Sequence, residues 1–258
     1  GGTAGAPPGG SPSSPPLLRW AAQDDVADGD GWLGPRERVV LAGLQVAKRR
    51  ADWRLGRWTA KQAVLAAEAS PEKQGQGVGA RALATIELLA AGDGAPAAWR
   101  GEEPMPVTVS WSHRAGRAVA AVTGAETDVG VDLELLEARS AAFLDEWFSP
   151  GERAWVGDDT VVRANLLWTA KEAAAKVRRE GLRLDVRALL VSVPDAATSP
   201  VGGVRRDDPA AAWAPVSVAE PNRAHHPPLR GWWVITDGFV ATVLTDPPTP
   251  PPALPASG

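Results

Sequence analysis

The spacing of apolar and polar positions divides the chain into two stretches, each a run of helix followed by strands. Pro35 stands at a helix start, and Val39, Val40, Leu41, Leu44 and Ala47 follow at helical spacing. A second helix is predicted from Arg49 to Ala69, ending before Pro71. Gln74 to Gly79 reads as a loop, and Ala82 to Leu89 is ambiguous between helix and strand. Pro106 to His113 alternates with period two and predicts a strand. The turn at Arg114 to Arg117 and the run Ala118 to Val122 complete a hairpin. Thr127 to Leu133 reads as another strand. Phe143 to Val156 predicts a short helix, a turn at Ser149-Pro150-Gly151-Glu152 and a further helix start. Arg163 to Glu180 is a long helix. Val186 to Val193, Ser217-Val218, Trp232 to Ile235 and Phe239 to Leu244 finish as strands, with a loop over Asp195 to Pro209. The class expected is α+β, with helices covering one face of mostly antiparallel strands.

The long helix carries the most information. At about 100° per residue, Leu166, Ala170, Ala173, Ala174 and Val177 share one face. Trp168, Lys171, Glu172, Ala175 and Lys176 share the opposite one. A helix with a solvated charged side accounts for the pattern, but two details argue against it. Trp168 sits inside the charged stripe. The tetrapeptide Trp168-Thr169-Ala170-Lys171 also occurs as Trp58-Thr59-Ala60-Lys61, earlier by 168 − 58 = 110 residues. A weaker echo relates the segments around Gly116 and Gly238, offset by 238 − 116 = 122 residues. The two echoes imply a duplicated architecture of two similar α+β halves, each with a long helix. The expected organisation is a disordered tail over 1–16, an N-terminal half over 17–124, a C-terminal half over 125–246 with the site at the seam, and a loose Pro-rich tail over 247–258. Glu172 has Gln62 as its counterpart, so only the second copy supplies a carboxylate.

Composition narrows the chemistry. At 258 residues and 44% hydrophobic, the chain can build a sizeable core. It has no cysteine, which excludes disulfides, thiolate catalysis and cysteine-ligated metals. A net charge of −4 argues against a bulk nucleic-acid binder. There is neither an apolar run near 18 residues nor a basic-then-apolar leader, so no membrane span or secretory signal is expected and the cytoplasm is the default compartment.

Candidate chemistry centres on Val129-Gly130-Val131-Asp132-Leu133-Glu134. Alternation puts Asp132 and Glu134 on one face of a strand, about 6.5–7 Å apart. Two carboxylates so spaced can converge on a hard cation, and Glu172 would add a third if helix and strand are adjacent. Mg²⁺ takes one or two carboxylates and commonly bridges substrate phosphates. Lys48, Arg49, Arg50, Arg54, Arg57 and Lys61 crowd one helical region, which reads either as a solvated basic face or as a wall for polyphosphate. His113 ends a strand beside Arg114 and Arg117. His225 and His226 lie beside Pro227-Pro228 and carry no assigned role.

Taken together, these motifs resemble a known family. Gly130-Val131-Asp132-Leu133-Glu134 is followed 168 − 134 = 34 residues later by Trp168-Thr169-Ala170-Lys171-Glu172-Ala173-Ala174-Ala175-Lys176. The pair resembles the signature of 4′-phosphopantetheinyl transferases, in particular their Sfp-like, two-halved monomeric group. Ser112-His113 fits a third motif, and Lys48-Arg49-Arg50-Ala51-Asp52-Trp53 with Gly56-Arg57 and Lys61 looks like the N-terminal segment of actinobacterial members. The resemblance runs from about Arg36 to Leu244. It implies a monomer that moves phosphopantetheine from coenzyme A to a serine of an apo acyl or peptidyl carrier protein, releasing 3′,5′-ADP. By the same resemblance Asp132, Glu134 and Glu172 hold Mg²⁺ (or Mn²⁺), and Lys176 and Lys171 contact phosphates. Arg49, Arg57, Ser112 and His113 belong to the coenzyme A site, with Arg49, Arg57 and His113 at the adenosine 3′-phosphate, and Glu152 assists proton transfer. Relatives often carry a lysine before a Gly-x-Pro near the nucleotide; Gly92-Asp93-Gly94-Ala95-Pro96 has none. The competing readings are a metal-dependent phosphodiesterase or nuclease built on the same carboxylates, and a non-catalytic module that binds coenzyme A or carrier protein.

Overall fold

The computed structural model describes residues 14–69, 79–180, 184–194, 213–223 and 225–253. The first half opens with β1 (Leu17–Ala22), α1 (Pro35–Gly43) and α2 (Ala47–Glu68). It continues through a one-turn α3 (Ala80–Leu83), β2 (Glu87–Ala90), β3 (Pro96–Arg100) and β4 (Glu103–Pro104), and closes with β5 (Val107–Arg114) and β6 (Arg117–Gly124). The second half runs β7 (Asp128–Leu135), α4 (Ala141–Trp147), α5 (Pro150–Val156), α6 (Val162–Val177), β8 (Leu190–Ser192), β9 (Ala214–Ala219), β10 (Leu229–Thr236) and β11 (Phe239–Asp246). Sheet orders are β1-β6-β5, β2-β3-β4 and β7-β11-β10-β9-β8, and every pairing is antiparallel. The α+β class is as expected.

The two sequence echoes are two copies of one structural unit. β5–β6 and β10–β11 are hairpins whose turns place two residues at positive φ, Ala115-Gly116 (48° and 75°) and Asp237-Gly238 (50° and 80°). Left-handed backbone at both central positions matches the right-handed twist of the strands, and glycine adopts it at no steric cost. Each hairpin pairs its second strand with the opening strand of its half, β6 with β1 and β11 with β7. Each turn glycine accepts an equivalent hydrogen bond, from Gln23 N at 2.8 Å and from Leu136 N at 2.9 Å.

The repeated tetrapeptide marks a second shared device. Glu37 is the third residue of α1 and accepts from the backbone N of the N-cap Gly34. Its other contacts are Lys61 Nζ at 2.5 Å and Leu88 N at 3.0 Å. Glu152 repeats the arrangement in α5, with Ser149 N at 2.9 Å, Lys171 Nζ at 2.9 Å and Val191 N at 3.0 Å. In each half a helix-capping glutamate and a helix lysine form a buried ion pair that also satisfies an N–H of a neighbouring strand. Such pairs hold only when every partner is in place, since a buried charge left alone costs several kcal/mol.

Leu18, Val119 and Ala121 from the first half pack with Val131, Leu133, Val234 and Ala241 from the second, so one core crosses the seam. Three expectations are revised. β1 and the small β2-β3-β4 sheet were not anticipated, being short and not marked by alternation. Val186 to Val193 is a 3₁₀ turn at Val186–Ala188 and the short β8. Residues 247–253 are not loose: Thr249 is buried, its carbonyl accepts from Trp232 Nε1 at 3.1 Å, and its hydroxyl pairs with that of Thr245. The loops expected at Gln74 to Gly79 and Asp195 to Pro209 lie almost wholly outside the described residues, as does most of the 1–16 tail.

Candidate active site

α6 lies directly on β7, and Gly130 permits it. A Cβ at that position would overlap Ala173 O and stand 2.8 Å from Val177 N. With no side chain there, the helix packs backbone against backbone. From Ala164 to Val177, only Trp168, Glu172 and Lys176 are not buried. Their i, i+4, i+8 spacing makes one narrow stripe. That stripe lines a cleft of about 1100 Å³ between the halves, walled opposite by Thr108, Val109, Ser110 and Trp111 of β5 and Asp93 to Pro96.

Asp132 is 5% exposed and lies behind Lys176, which lines the cleft. Its Oδ1 accepts from Ser112 Oγ at 2.8 Å and from Lys176 Nζ at 2.8 Å. Lys176 Nζ also donates to Val131 O at 2.9 Å and Trp111 O at 3.3 Å, so all three of its protons are engaged and it ties β5 to β7. Asp132 Oδ2 is buried with no hydrogen-bond partner. Burial, and then the charges of Asp132 and Glu134, hold the Glu172 carboxyl above its ordinary range against the pull of Lys176. Burial and Asp132 likewise raise Glu134, against Arg139 and Arg114. The three expected carboxylates are therefore neighbours that repel one another. They are not a closed cage: among the described residues no three His, Asp or Glu side chains are gathered so as to hold a metal ion. Glu134 is turned toward Arg139 and Arg114, and Lys176 occupies one oxygen of Asp132.

Lys171 and Glu152 are not brought to the cleft. Lys171 has no exposed side-chain surface and is committed to Glu152 and to Trp147 O at 3.1 Å. Neither lines either cavity. The resemblance implied a phosphate contact from Lys171 and a proton-transfer role for Glu152; here the two are paired with one another. The stripe has two cationic positions in sequence, but the tertiary fold turns one inward to the α5 cap.

A smaller cavity of about 440 Å³ lies on the far side of Trp111, lined by Lys48, Arg49, Asp52, Trp53, Arg57, Trp111 and His113 among others. Arg57 is stacked 3.7 Å over the Trp53 ring and 5.7 Å from that of Trp111. Its Nε is buried without a partner. Burial pushes its pKa down to about 10, which leaves it charged at neutral pH. Lys48 pairs with Asp52, and Arg49 is exposed. His113 stands at the rim, exposed on one side; burial on the other pushes its pKa below the ordinary value, with Asp52 opposing. The structure thus brings Arg49, Arg57 and His113 together, while Ser112 faces Asp132 instead.

Sequence reasoning missed Trp111, which separates the two cavities, and Arg139, whose only signal was its basic character after the strand motif. In the Gly92 to Pro96 stretch that lacks a lysine, Asp93 pairs with Arg179 of the second half at 2.8 Å.

Residues 128–224 match the family model described as the 4′-phosphopantetheinyl transferase superfamily, a span that begins at β7 and contains α4 to α6 and β9. The resemblance read from the motifs is thereby shown over the segment that carries Asp132, Glu134, Glu152, Glu172 and Lys176. The match supports phosphopantetheine transfer in general. A search of curated proteins finds no match to the chain. No helix among the described residues is long and apolar enough to cross a membrane.

Proposed function

We propose that this protein transfers the 4′-phosphopantetheine group of coenzyme A to a serine hydroxyl of an apo acyl or peptidyl carrier protein, releasing 3′,5′-ADP, as a monomeric Sfp-like transferase of the cytoplasm. The observation that carries the reading is the orphaned, buried Asp132 Oδ2, whose other oxygen pairs with Lys176, a residue that lines with Glu172 the cleft between the halves. An uncompensated carboxylate oxygen in that position suits a hard divalent cation. Asp132, Glu134 and Glu172 would hold Mg²⁺ or Mn²⁺, which would supply charge neutralisation for the pyrophosphate of coenzyme A.

The residues of the chain account for the rest. The carrier serine oxygen attacks the β-phosphorus in line, the bond from that phosphorus to the bridging oxygen breaks, and that oxygen leaves with 3′,5′-ADP. Such a transition state needs positioning and neutralised charge more than a covalent protein group. Lys176 fixes Asp132 and places a positive charge beside it. Glu172, its carboxyl raised above the ordinary range by burial and Asp132, would take the serine proton. The long cleft suits the pantetheine arm, with Trp147 and Trp168 on its wall. The smaller cavity suits the adenosine 3′-phosphate, gripped by Arg57, Arg49 and His113.

Mass spectrometry of an apo carrier protein incubated with this protein, coenzyme A and Mg²⁺ tests the reading. One phosphopantetheine added to the carrier serine, lost with EDTA, is the expected result. An unmodified carrier overturns it, and 3′,5′-ADP released without any carrier points to a phosphodiesterase instead.

A further inference from the structure

We infer that Asp93 is a built-in competitor for Arg179: its carboxylate occupies the arginine fork that binds the pyrophosphate of coenzyme A, and the ligand must displace it. The contact is autoinhibitory and joins the two halves at the cleft. This deepens the transferase reading above and rests on it.

The first observation is where the pair lies. Of the cationic side chains that line the cleft, Lys176, Arg179 and Arg187, only Arg179 has its ion-pair partner in the other half among the described residues. Lys176 is committed to Asp132, Val131 O and Trp111 O, and Arg187 pairs with Asp185, two residues before it. Asp93 stands in the turn from β2 to β3 and also lines the cleft. Arg179 Nε donates to Asp93 Oδ2 at 2.8 Å and Nη2 to Oδ1 at 3.4 Å. A guanidinium grips phosphate with the same two prongs.

The second observation is backbone strain. Arg179 follows the C-cap of α6 at φ 55°, its N donating to Lys176 O at 3.1 Å. Left-handed backbone just past a helix end is a place for glycine, and a side chain there is strained. The guanidinium bonds Asp93 across the cleft, so the strain is held for the cleft and not for the helix end.

The third is that the exchange is easy. Arg179 is 34% exposed and Asp93 37%, and ion pairs so wet contribute little. A pyrophosphate brings more charge and more acceptor oxygens than a carboxylate. Asp93 is held by its own turn, where Oδ1 accepts from Ala95 N at 2.9 Å and Gly94 takes φ 86°. Releasing the arginine therefore strands no buried charge. Arg179 comes three residues after Lys176 and lines the same cleft, which puts it beside the pyrophosphate in the transferase reading.

Titration calorimetry of the full-length protein with coenzyme A and Mg²⁺, together with melting curves, tests this. Arg179→Gly is expected to bind coenzyme A about tenfold more weakly. It should not melt lower, since glycine takes φ 55° at no steric cost. Asp93→Asn is expected to bind coenzyme A about twofold to fivefold more tightly, the competitor being gone. The two partners of one ion pair thus move affinity in opposite directions, whereas a tie that only holds the halves together would weaken binding in both. The double variant should bind like Arg179→Gly alone. A gain from Asp93→Asn that persists without Arg179 is general charge repulsion and overturns the inference. Dephospho-coenzyme A keeps the pyrophosphate, so Arg179→Gly should weaken it as much as coenzyme A. An effect confined to coenzyme A would move Arg179 to the 3′-phosphate and refute the assignment. Weaker binding by Asp93→Asn, or unchanged binding by Arg179→Gly, overturns the inference and leaves the transferase reading standing. Absence of coenzyme A binding by the wild type overturns both.

Discussion

Replacing Gly130 by alanine tests the contact that builds the site. The new Cβ would stand 2.8 Å from Val177 N and overlap Ala173 O, both backbone atoms of α6. Ordinary contact begins near 3.4 Å, so helix and strand must separate by at least 3.4 − 2.8 = 0.6 Å, and by more to clear Ala173 O. No rotamer change relieves a clash between backbones. Overpacking of this kind costs about 1–3 kcal/mol. The same displacement carries Glu172 and Lys176 away from Asp132, and a shift of about 1 Å in a catalytic constellation costs on the order of 100-fold in rate. Gly151 in α5 is the internal control: a Cβ there meets nothing within 4 Å. Gly151→Ala should be neutral or stabilise by up to about 1 kcal/mol, because alanine loses less entropy on folding into a helix. Urea unfolding and steady-state transfer on both variants measure the two effects. The expected pattern is a lower urea midpoint for Gly130→Ala with the slope unchanged, and a fall in kcat of about tenfold to 100-fold. A Gly130→Ala protein with a wild-type midpoint and turnover within about twofold of wild type would show that α6 does not set the site against β7.

Four further outcomes follow from the geometry. Glu172→Gln should lose transfer while raising the melting temperature of the metal-free protein at neutral pH. A carboxyl raised on folding contributes stability below its unfolded pKa of about 4.5, and that contribution is lost as pH rises through the folded value; a melting temperature unchanged at pH 7 contradicts the crowding of charges. Lys171→Met should destabilise the protein by about 3–5 kcal/mol by stranding buried Glu152. The double variant Lys171→Met with Glu152→Gln should regain stability and keep turnover within about tenfold of wild type, and its inactivity would restore a chemical role to the pair. Dephospho-coenzyme A should bind more weakly than coenzyme A, by about tenfold for each charge-assisted hydrogen bond lost, and Arg57→Ala should shrink that gap in titration calorimetry. Residues 17–124 alone should aggregate, since Leu18, Val119 and Ala121 would expose a core face; a soluble fragment with a cooperative melt argues against a shared core.

Much of this molecule was legible in the sequence, because periodicity and turn chemistry are local. Alternation located β5, β6, β7 and β11, helical spacing located α1, α2 and α6, and the Gly116 and Gly238 echo marked the two hairpins. Asp132 and Glu172 were legible as carboxylates on a strand and on a helix whose motifs resemble one family. The strands without a pattern long enough to register, β1 to β4, were not. Nor was the fate of like residues on one stripe. Lys171 and Lys176 are five residues apart on one face of the helix, yet Lys171 is sealed against the α5 cap and Lys176 reaches Asp132. Asp132 and Glu134 share one face of the strand, yet Asp132 pairs with Lys176 and Glu134 with two arginines. The reason is physical: a sequence period fixes which side chains share a face, but not which layers cover that face. α6 is covered on all sides but one, by β7 and β11 beneath and α5 beside it, and only that packing leaves Trp168, Glu172 and Lys176 as the stripe open to the cleft.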